Sequence, residues 1–452
     1  MASLMYFRSG PESIDPQRLI HWTVTAQMRR LSAISFALLR GNRPCAHGYF
    51  AAKVSRAAST DTAPPSFFTV KVQGPHEESK DGHKSALQNQ LLSIPSDVTN
   101  LNIDNDTPSD TEWALLGKHF SKINNLEMDT GFNEELNDKY MPLHWPLQRL
   151  LLSSACGEII ESPWVRQGRI SHLIMYLTHG LRFEGPTSRE LTRMNEEAIA
   201  RGEKEQQFFT VKKGTPEERK ISVVSIPELV NEWINNKYSN PDATVEPENM
   251  PPSDPVNLHT LEILENDALD TFSRMIMALP HLVTNLHTLN LRSTSGLDFK
   301  YLDERMFRQF PPQLSNLRTL RLTVGEVFQD PSYLPTLYAY LPLNLVSLFF
   351  RGPVSLCRSE QWGEWLKAFE SKDFLPNLQN LGFVLDLYYQ PCESDWVKNE
   401  EVRAPEEALC EAREACEDLY EVARRRGITI YPVHDEWAVK YPYLKQVDDR
   451  WR

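Results

Sequence analysis

One pattern recurs along the chain and restricts its fold more than any other feature: apolar-x-x-Leu-x-apolar. In the second half it reads Leu258-His-Thr-Leu261-Glu-Ile263, Leu286-His-Thr-Leu289-Asn-Leu291 and Leu317-Arg-Thr-Leu320-Arg-Leu322, then Leu345-Val-Ser-Leu348-Phe-Phe350 and Leu378-Gln-Asn-Leu381-Gly-Phe383. The central leucines of these copies lie 28, 31, 28 and 33 residues apart. In the first half it reads Val98-Thr-Asn-Leu101-Asn-Ile103, Ile123-Asn-Asn-Leu126-Glu-Met128 and Leu147-Gln-Arg-Leu150-Leu-Leu152, with Ile170-Ser-His-Leu173-Ile-Met175 as a looser fourth copy, at spacings of 25, 24 and 23. A single match carries little, because three apolar residues in six positions are common. Near-periodic repetition carries much more. The Leu-x-Leu portion alternates as a strand with one buried face does. A lone strand cannot bury that face, but stacked copies can, which is why such units come in arrays.

The intervals between strands have helical spacing. Ser109-x-x-Glu112 reads as a capping box before Trp113, Leu116 and Phe120. Leu269, Phe272, Ile276 and Leu279 keep the spacing of one helix face. Leu302, Met306 and Phe310 do likewise, as do Trp362, Trp365, Leu366 and Phe369. The second-half helices are expected to end near proline, at Leu279-Pro280, Phe310-Pro311, Leu341-Pro342 and Leu375-Pro376, since proline stops a helix and extends the residue before it. The expected unit is strand, loop, helix, proline turn, and the expected class is α/β.

Leu-x-x-Leu-x-Leu resembles the unit of leucine-rich-repeat proteins, over roughly residues 95–185 and 256–386. Two features depart from the family pattern: the Asn or Cys ladder that follows the strand is absent, and repeat length is irregular. With its long helices and the ending Arg426-Gly-Ile-Thr-Ile-Tyr431, the chain looks like the divergent leucine-rich-repeat-like proteins common in fungi. Some of those carry an F-box and deliver substrates to ubiquitin ligases. Ile226-Pro-Glu-Leu-Val-Asn-Glu-Trp-Ile234 resembles the opening of an F-box, but polar, proline-rich sequence follows it. The resemblance implies a solenoid with a curved parallel sheet and helices on its convex side. It also implies a non-enzymatic protein-protein interaction scaffold or adaptor, in one version a substrate receptor.

The rest of the chain is organised around the repeats. Residues 1–62 read as a basic leader, disordered or acting as a mitochondrial transit peptide; residues 1–60 carry eight Arg/Lys and two acids, a net of +6 that leaves −19 of the total −13 for the remainder. The run Met28-Arg-Arg-Leu-Ser-Ala-Ile-Ser-Phe-Ala-Leu-Leu-Arg40 and its basic, Ser/Ala-rich continuation favour targeting from a start at Met28, because Glu12 and Asp15 precede it. Residues 63–185 are the first repeats, 186–255 an insertion, 256–386 the second repeats and 387–452 a C-terminal cap. In the insertion, Ser188–Gln206 reads as a charged helix, Phe208–Val211 and Ile221–Val224 as a hairpin, and Tyr238–Pro255 as loop. In the cap, Pro405–Arg426 reads as a helix closed by Gly427, Ile428–Tyr431 as a last strand and Asp435–Arg452 as a Trp/Tyr-rich tail. The acidic body argues against nucleic acid as a partner, and no apolar run of about 18 residues suggests a membrane span. The expected form is a monomer inside the cell, in cytoplasm or nucleus, or in the mitochondrion if the leader targets.

The search for chemistry finds no phosphate-binding glycine loop, nucleophile elbow, His-Glu-x-x-His or Cys-x-x-Cys. The six cysteines are too sparse for a disulfide scaffold. His76-Glu77-Glu78 with His83 reads as a solvated loop, and Asp104, Asp106, Asp110 and Glu112 as a turn and helix cap. His259 and His287 occupy matching repeat positions, which repetition explains. No catalytic, cofactor or metal residues are assigned. The strand positions flanking the central leucines should line an exposed concave face, acidic at one end (Asp104, Glu127, Asp129) and bearing Arg292, Arg321, Arg351 and Phe349 further on. Arginine and aromatic residues are the types enriched in binding hot spots, so this face is the expected protein-binding site. The alternatives are a mitochondrial assembly factor, or an enzyme with its site at the insertion or cap.

Overall fold

The computed structural model describes residues 66–75, 83–130, 136–153, 159–176, 182–183, 200–202, 209–211, 221–223, 256–265, 268–269, 271–272, 275, 280–283, 285–293, 311, 314–324, 334–391, 399–433 and 437. Residues 64–452 form a unit by themselves, and every described residue belongs to it. The leader, the metal-like stretch His76–Glu78, the face Leu302–Phe310 and the F-box-like segment lie outside the described residues.

All nine repeat copies form strands of one sheet. These are β2 (Asn100–Asp104), β3 (Asn125–Asp129), β4 (Arg149–Ser153), β6 (His172–Tyr176), β10 (Thr260–Glu265), β11 (Thr288–Ser293), β12 (Thr319–Thr323), β13 (Ser347–Pro353) and β14 (Asn380–Pro391). They lie side by side in chain order, each parallel to the next. β1 (Phe68–Lys71) precedes them, and β15 (Asn399–Val402, antiparallel) and β16 (Thr429–Ile430, parallel) both pair with β14. The central leucines are aligned across the sheet: Leu101, Leu126, Leu150, Leu173, Leu261, Leu289, Leu320, Leu348 and Leu381 occupy one row and are all buried. The insertion does not break the row, because Leu173 of β6 pairs directly with Leu261 of β10. Of the insertion itself, Phe209–Val211 (β8) and Ile221–Val223 (β9) pair as the expected antiparallel hairpin. Ile159–Ile160 (β5) and Arg182–Phe183 (β7) make a separate parallel pair.

Each joint between repeats is made the same way. The carbonyl two residues before a central leucine accepts two consecutive N–H groups from the next copy. Thr99 O accepts from Asn124 and Asn125 (2.8 and 3.0 Å), Ser171 O from His259 and Thr260 (both 3.0 Å), and Val346 O from Gln379 and Asn380 (2.8 and 3.0 Å). A different series of asparagines stands ahead of the strand. Asn257, Asn285, Asn316, Asn344 and Asn377 each stand before the first leucine of a second-half copy. Asn285 Nδ2 donates to Val256 O and Asn344 Nδ2 to Ser315 O, both at 2.8 Å, so the amide satisfies a turn carbonyl of the preceding repeat. The rings of His259 and His287, at matching positions, stack with centroids 5.2 Å apart.

The described helices pack against the leucine side of the sheet. They are α1 (His83–Leu92), α2 (Asp110–His119), α3 (Pro163–Arg166), α4 (Pro280–Val283), α5 (Trp362–Glu370) and α6 (Glu406–Arg425). They contribute Leu87, Trp113, Val165, Leu282, Trp365 and Leu419 to one continuous core with the strand leucines. α2 begins on the expected capping box, with Ser109 accepting from Glu112 N while Glu112 accepts from Ser109 N. Glu112 also accepts from Gln73 and Gly74 N, which ties the end of β1 to this helix. Proline plays a more varied part than expected: Pro280 lies within α4, and Pro376 comes after α5 has ended at Glu370, next to Leu375 at φ 44°. Of the face Leu269–Leu279, Leu269 and Phe272 are buried with Ala268 and Met275.

The last helix closes the array. α6 ends at Gly427, φ 82°, with Gly427 N donating to Arg424 O and Ile428 N to Ala423 O, a Schellman closure. Its Cys416 is buried and Cys410 exposed, as their spacing on a helix requires. Tyr420 Oη donates to Phe383 O at the stretch of β14 that neither β15 nor β16 pairs. At the other edge, the Gln90 amide of α1 accepts from Lys71 N and donates to Lys71 O (2.9 and 3.0 Å). Both open edges of the sheet are thus partly occupied by side chains that mimic a neighbouring strand.

Candidate interaction surface

The opposite face of the sheet carries rows of side chains in strict register. One row runs Asn102, Glu127, Leu151, Ile174, Glu262, Asn290, Arg321, Phe349, Gly382; the next runs Asp104, Asp129, Ser153, Tyr176, Leu264, Arg292, Thr323, Arg351, Val384. This arrangement follows from strand alternation once the leucines are buried.

The seven expected site residues all lie on this face, but in three settings. Asp104, Glu127 and Asp129 sit together on β2 and β3, partly exposed, with Asp104 directly opposite Asp129. Lys71 reaches Asp104 at 3.7 Å, and Arg149 pairs Glu127 at 3.1 Å. Asn125 Nδ2 donates to Asn100 Oδ1 at 2.6 Å beside them. Arg321 and Phe349 are partly exposed, directly opposite in register, and the guanidinium lies 4.8 Å from the ring centroid. That stacking holds the cation over the ring face.

Arg292 and Arg351 correct the expectation of exposure: they are only 6% and 5% accessible. Arg351 donates to both carboxylate oxygens of Asp386, at 2.7 and 2.9 Å, and Asp386 is itself buried. β14 bulges between its partners for Gly352 and Pro353, which brings Asp386 under the guanidinium. This pair is a buried structural element, so charge reversal at Arg351 tests folding and not a surface.

The middle of the face is not open either. Leu151, Ile174, Tyr176 and Leu264 form an apolar cluster with Trp437 of the C-terminal tail, apart from the main core. Beside it the buried Glu262 accepts from His172 Nε2 (2.8 Å), Asn290 Nδ2 (2.8 Å) and Trp437 Nε1 (2.6 Å). Burial pushes the Glu262 carboxyl up, but the His172, Trp437 and Asn290 hydrogen bonds outweigh it and leave the group below its ordinary value. The site residues expected from sequence do not include this node. One signal for it was in the strands: β4, β6 and β10 are apolar on both faces (Leu150-Leu151-Leu152, Leu173-Ile-Met-Tyr176, Ile263-Leu264), the mark of a strand covered twice.

Among the described residues no group of three or more His, Cys, Asp or Glu is placed to hold a metal ion, and no helix is long and apolar enough to cross a membrane. No protein-family model matches the chain, and the comparison with curated proteins found no match.

Proposed function

We propose that the chain is a non-enzymatic protein-interaction scaffold or adaptor of the leucine-rich-repeat-like kind. In this reading it is a curved solenoid that takes a protein partner along the face opposite its leucines. The observation that carries this is the register of that face. On either side of its apolar middle that face holds polar side chains at matched heights, acidic at β2–β3 and cationic-aromatic at Arg321–Phe349. Such a surface gives a partner both orientation and an anchor. A substrate receptor is one form of this function; the geometry favours no particular pathway.

The test is proximity labelling by the full chain, compared with Arg321→Glu/Phe349→Ala. Both positions are partly exposed, so the fold is expected to persist, which circular dichroism checks. Loss of a defined set of labelled proteins supports the reading. An unchanged set removes it.

A further inference from the structure

The apolar cluster at β4, β6 and β10 is out of character with the rest of its face. Neighbouring positions are Asn, Asp, Glu, Thr and Arg, yet here Leu151, Ile174, Tyr176 and Leu264 point away from the main core, beside a buried carboxylate. One described side chain outside the sheet completes the group. Trp437 packs on the four, and its ring N–H meets Glu262 Oε2 at 2.6 Å. A buried indole needs a partner for that N–H, and a charged acceptor makes the bond strong and directional.

The chain has a built route onto this face. Tyr431 N still bonds Leu381 O at the sheet edge. Two residues on, Val433 lies over Gly382, where an added Cβ would come within 2.8 Å of Phe349 Cδ1, 2.9 Å of Val433 Cγ2 and 3.1 Å of Tyr431 O. Glycine therefore makes room for the tail to cross to the second face. The main core is assembled without Trp437 or any member of its cluster.

We propose that Leu151, Ile174, Tyr176, Leu264 and Glu262 form an indole-binding site, that Trp437 fills it as an intramolecular ligand, and that its external ligand is a peptide segment presenting a tryptophan. The inference rests on the second face being a protein-binding surface and names the anchor which that surface takes. A tail tryptophan then holds the anchor point until a partner's tryptophan replaces it. Tryptophan is among the residues enriched in interface hot spots, which sit in well-packed, desolvated pockets.

The test uses the full chain, wild type and Trp437→Ala, with a fluorescent synthetic peptide of residues 431–441, read by anisotropy. Trp437→Ala is expected to bind the peptide at least tenfold tighter than wild type, whose own tail competes. The same peptide with alanine for tryptophan should lose that binding, and adding Glu262→Gln to Trp437→Ala should weaken it about tenfold. Equal binding to wild type and Trp437→Ala, or none to either, overturns the proposal. So does collapse of the cooperative unfolding transition in both Trp437→Ala and Trp437→Phe, which would make Trp437 a core residue. The probe is this chain's own sequence, so the result stands apart from whether Arg321 and Phe349 recruit other proteins.

Discussion

Asp138 shows how a single buried carboxyl writes pH into the stability of the array. It is fully buried and accepts from Glu161 N at 3.0 Å, while its Oδ2 has no hydrogen-bond partner among the described residues. Burial outweighs the backbone N–H groups and raises its pKa from 3.8 to about 6. The native state therefore prefers the neutral carboxyl. Its contribution is complete below the unfolded value near 3.8, declines as pH rises and is lost above about 6. A shift of this size is worth about 3 kcal/mol. Asp138→Asn should accordingly gain stability relative to wild type between pH 4.5 and 7, measured as the difference in urea midpoints; a difference that does not change with pH would refute this. The opposite case is Arg351 and Asp386. Asp386→Ala leaves a buried guanidinium without its carboxylate and should cost about 3–5 kcal/mol by denaturant titration. Arg321→Glu, with its partly exposed stacked partner, should cost under about 1 kcal/mol.

Elements differ in how much of their geometry lies in local residues. Ser109-x-x-Glu112 and Gly427 are local signals, and both ends form where the spacing places them. Ser109→Ala should cost about 1 kcal/mol. Gly427→Ala should cost about 1 kcal/mol as well, because nothing crowds its Cβ and only the left-handed backbone resists it. Equal midpoints for either variant and wild type would mean that the cap is not under tension in the way described. The nine strands were legible because burial of one face imposes a period of two, and the leucines record it. β1 was harder to read: Phe68-Thr-Val-Lys71 has no leucine, and Gln90 and Glu112 hold its end in place. The exposure of Arg292 and Arg351 was misread for a related reason. Alternation tells which face a side chain takes, but not what covers that face, and Asp386 arrives through a bulge that spacing does not encode. Glu262 and Trp437 are 175 residues apart, so no local pattern joins them.

At the scale of the whole molecule, continuity matters most. An 88-residue gap between Leu173 and Leu261 in the sequence closes to a single strand-to-strand step in the sheet. A sheet of this length needs its ends protected, and here Gln90 and Tyr420 do so. Gln90→Ala with Tyr420→Phe should therefore raise the fraction of high-mass species on light-scattering chromatography while leaving helix content unchanged; a profile identical to wild type would assign edge protection elsewhere. The proposed function requires that the face away from the leucines receives a protein. Its most direct test places a photo-crosslinking amino acid at Phe349, on that face, and separately at the exposed Lys367 of α5 on the helix side. A defined adduct is expected from position 349 that disappears when Arg321→Glu is added, with no such adduct from position 367. Adducts from 367 alone, or adducts from 349 that survive Arg321→Glu unchanged, would contradict it.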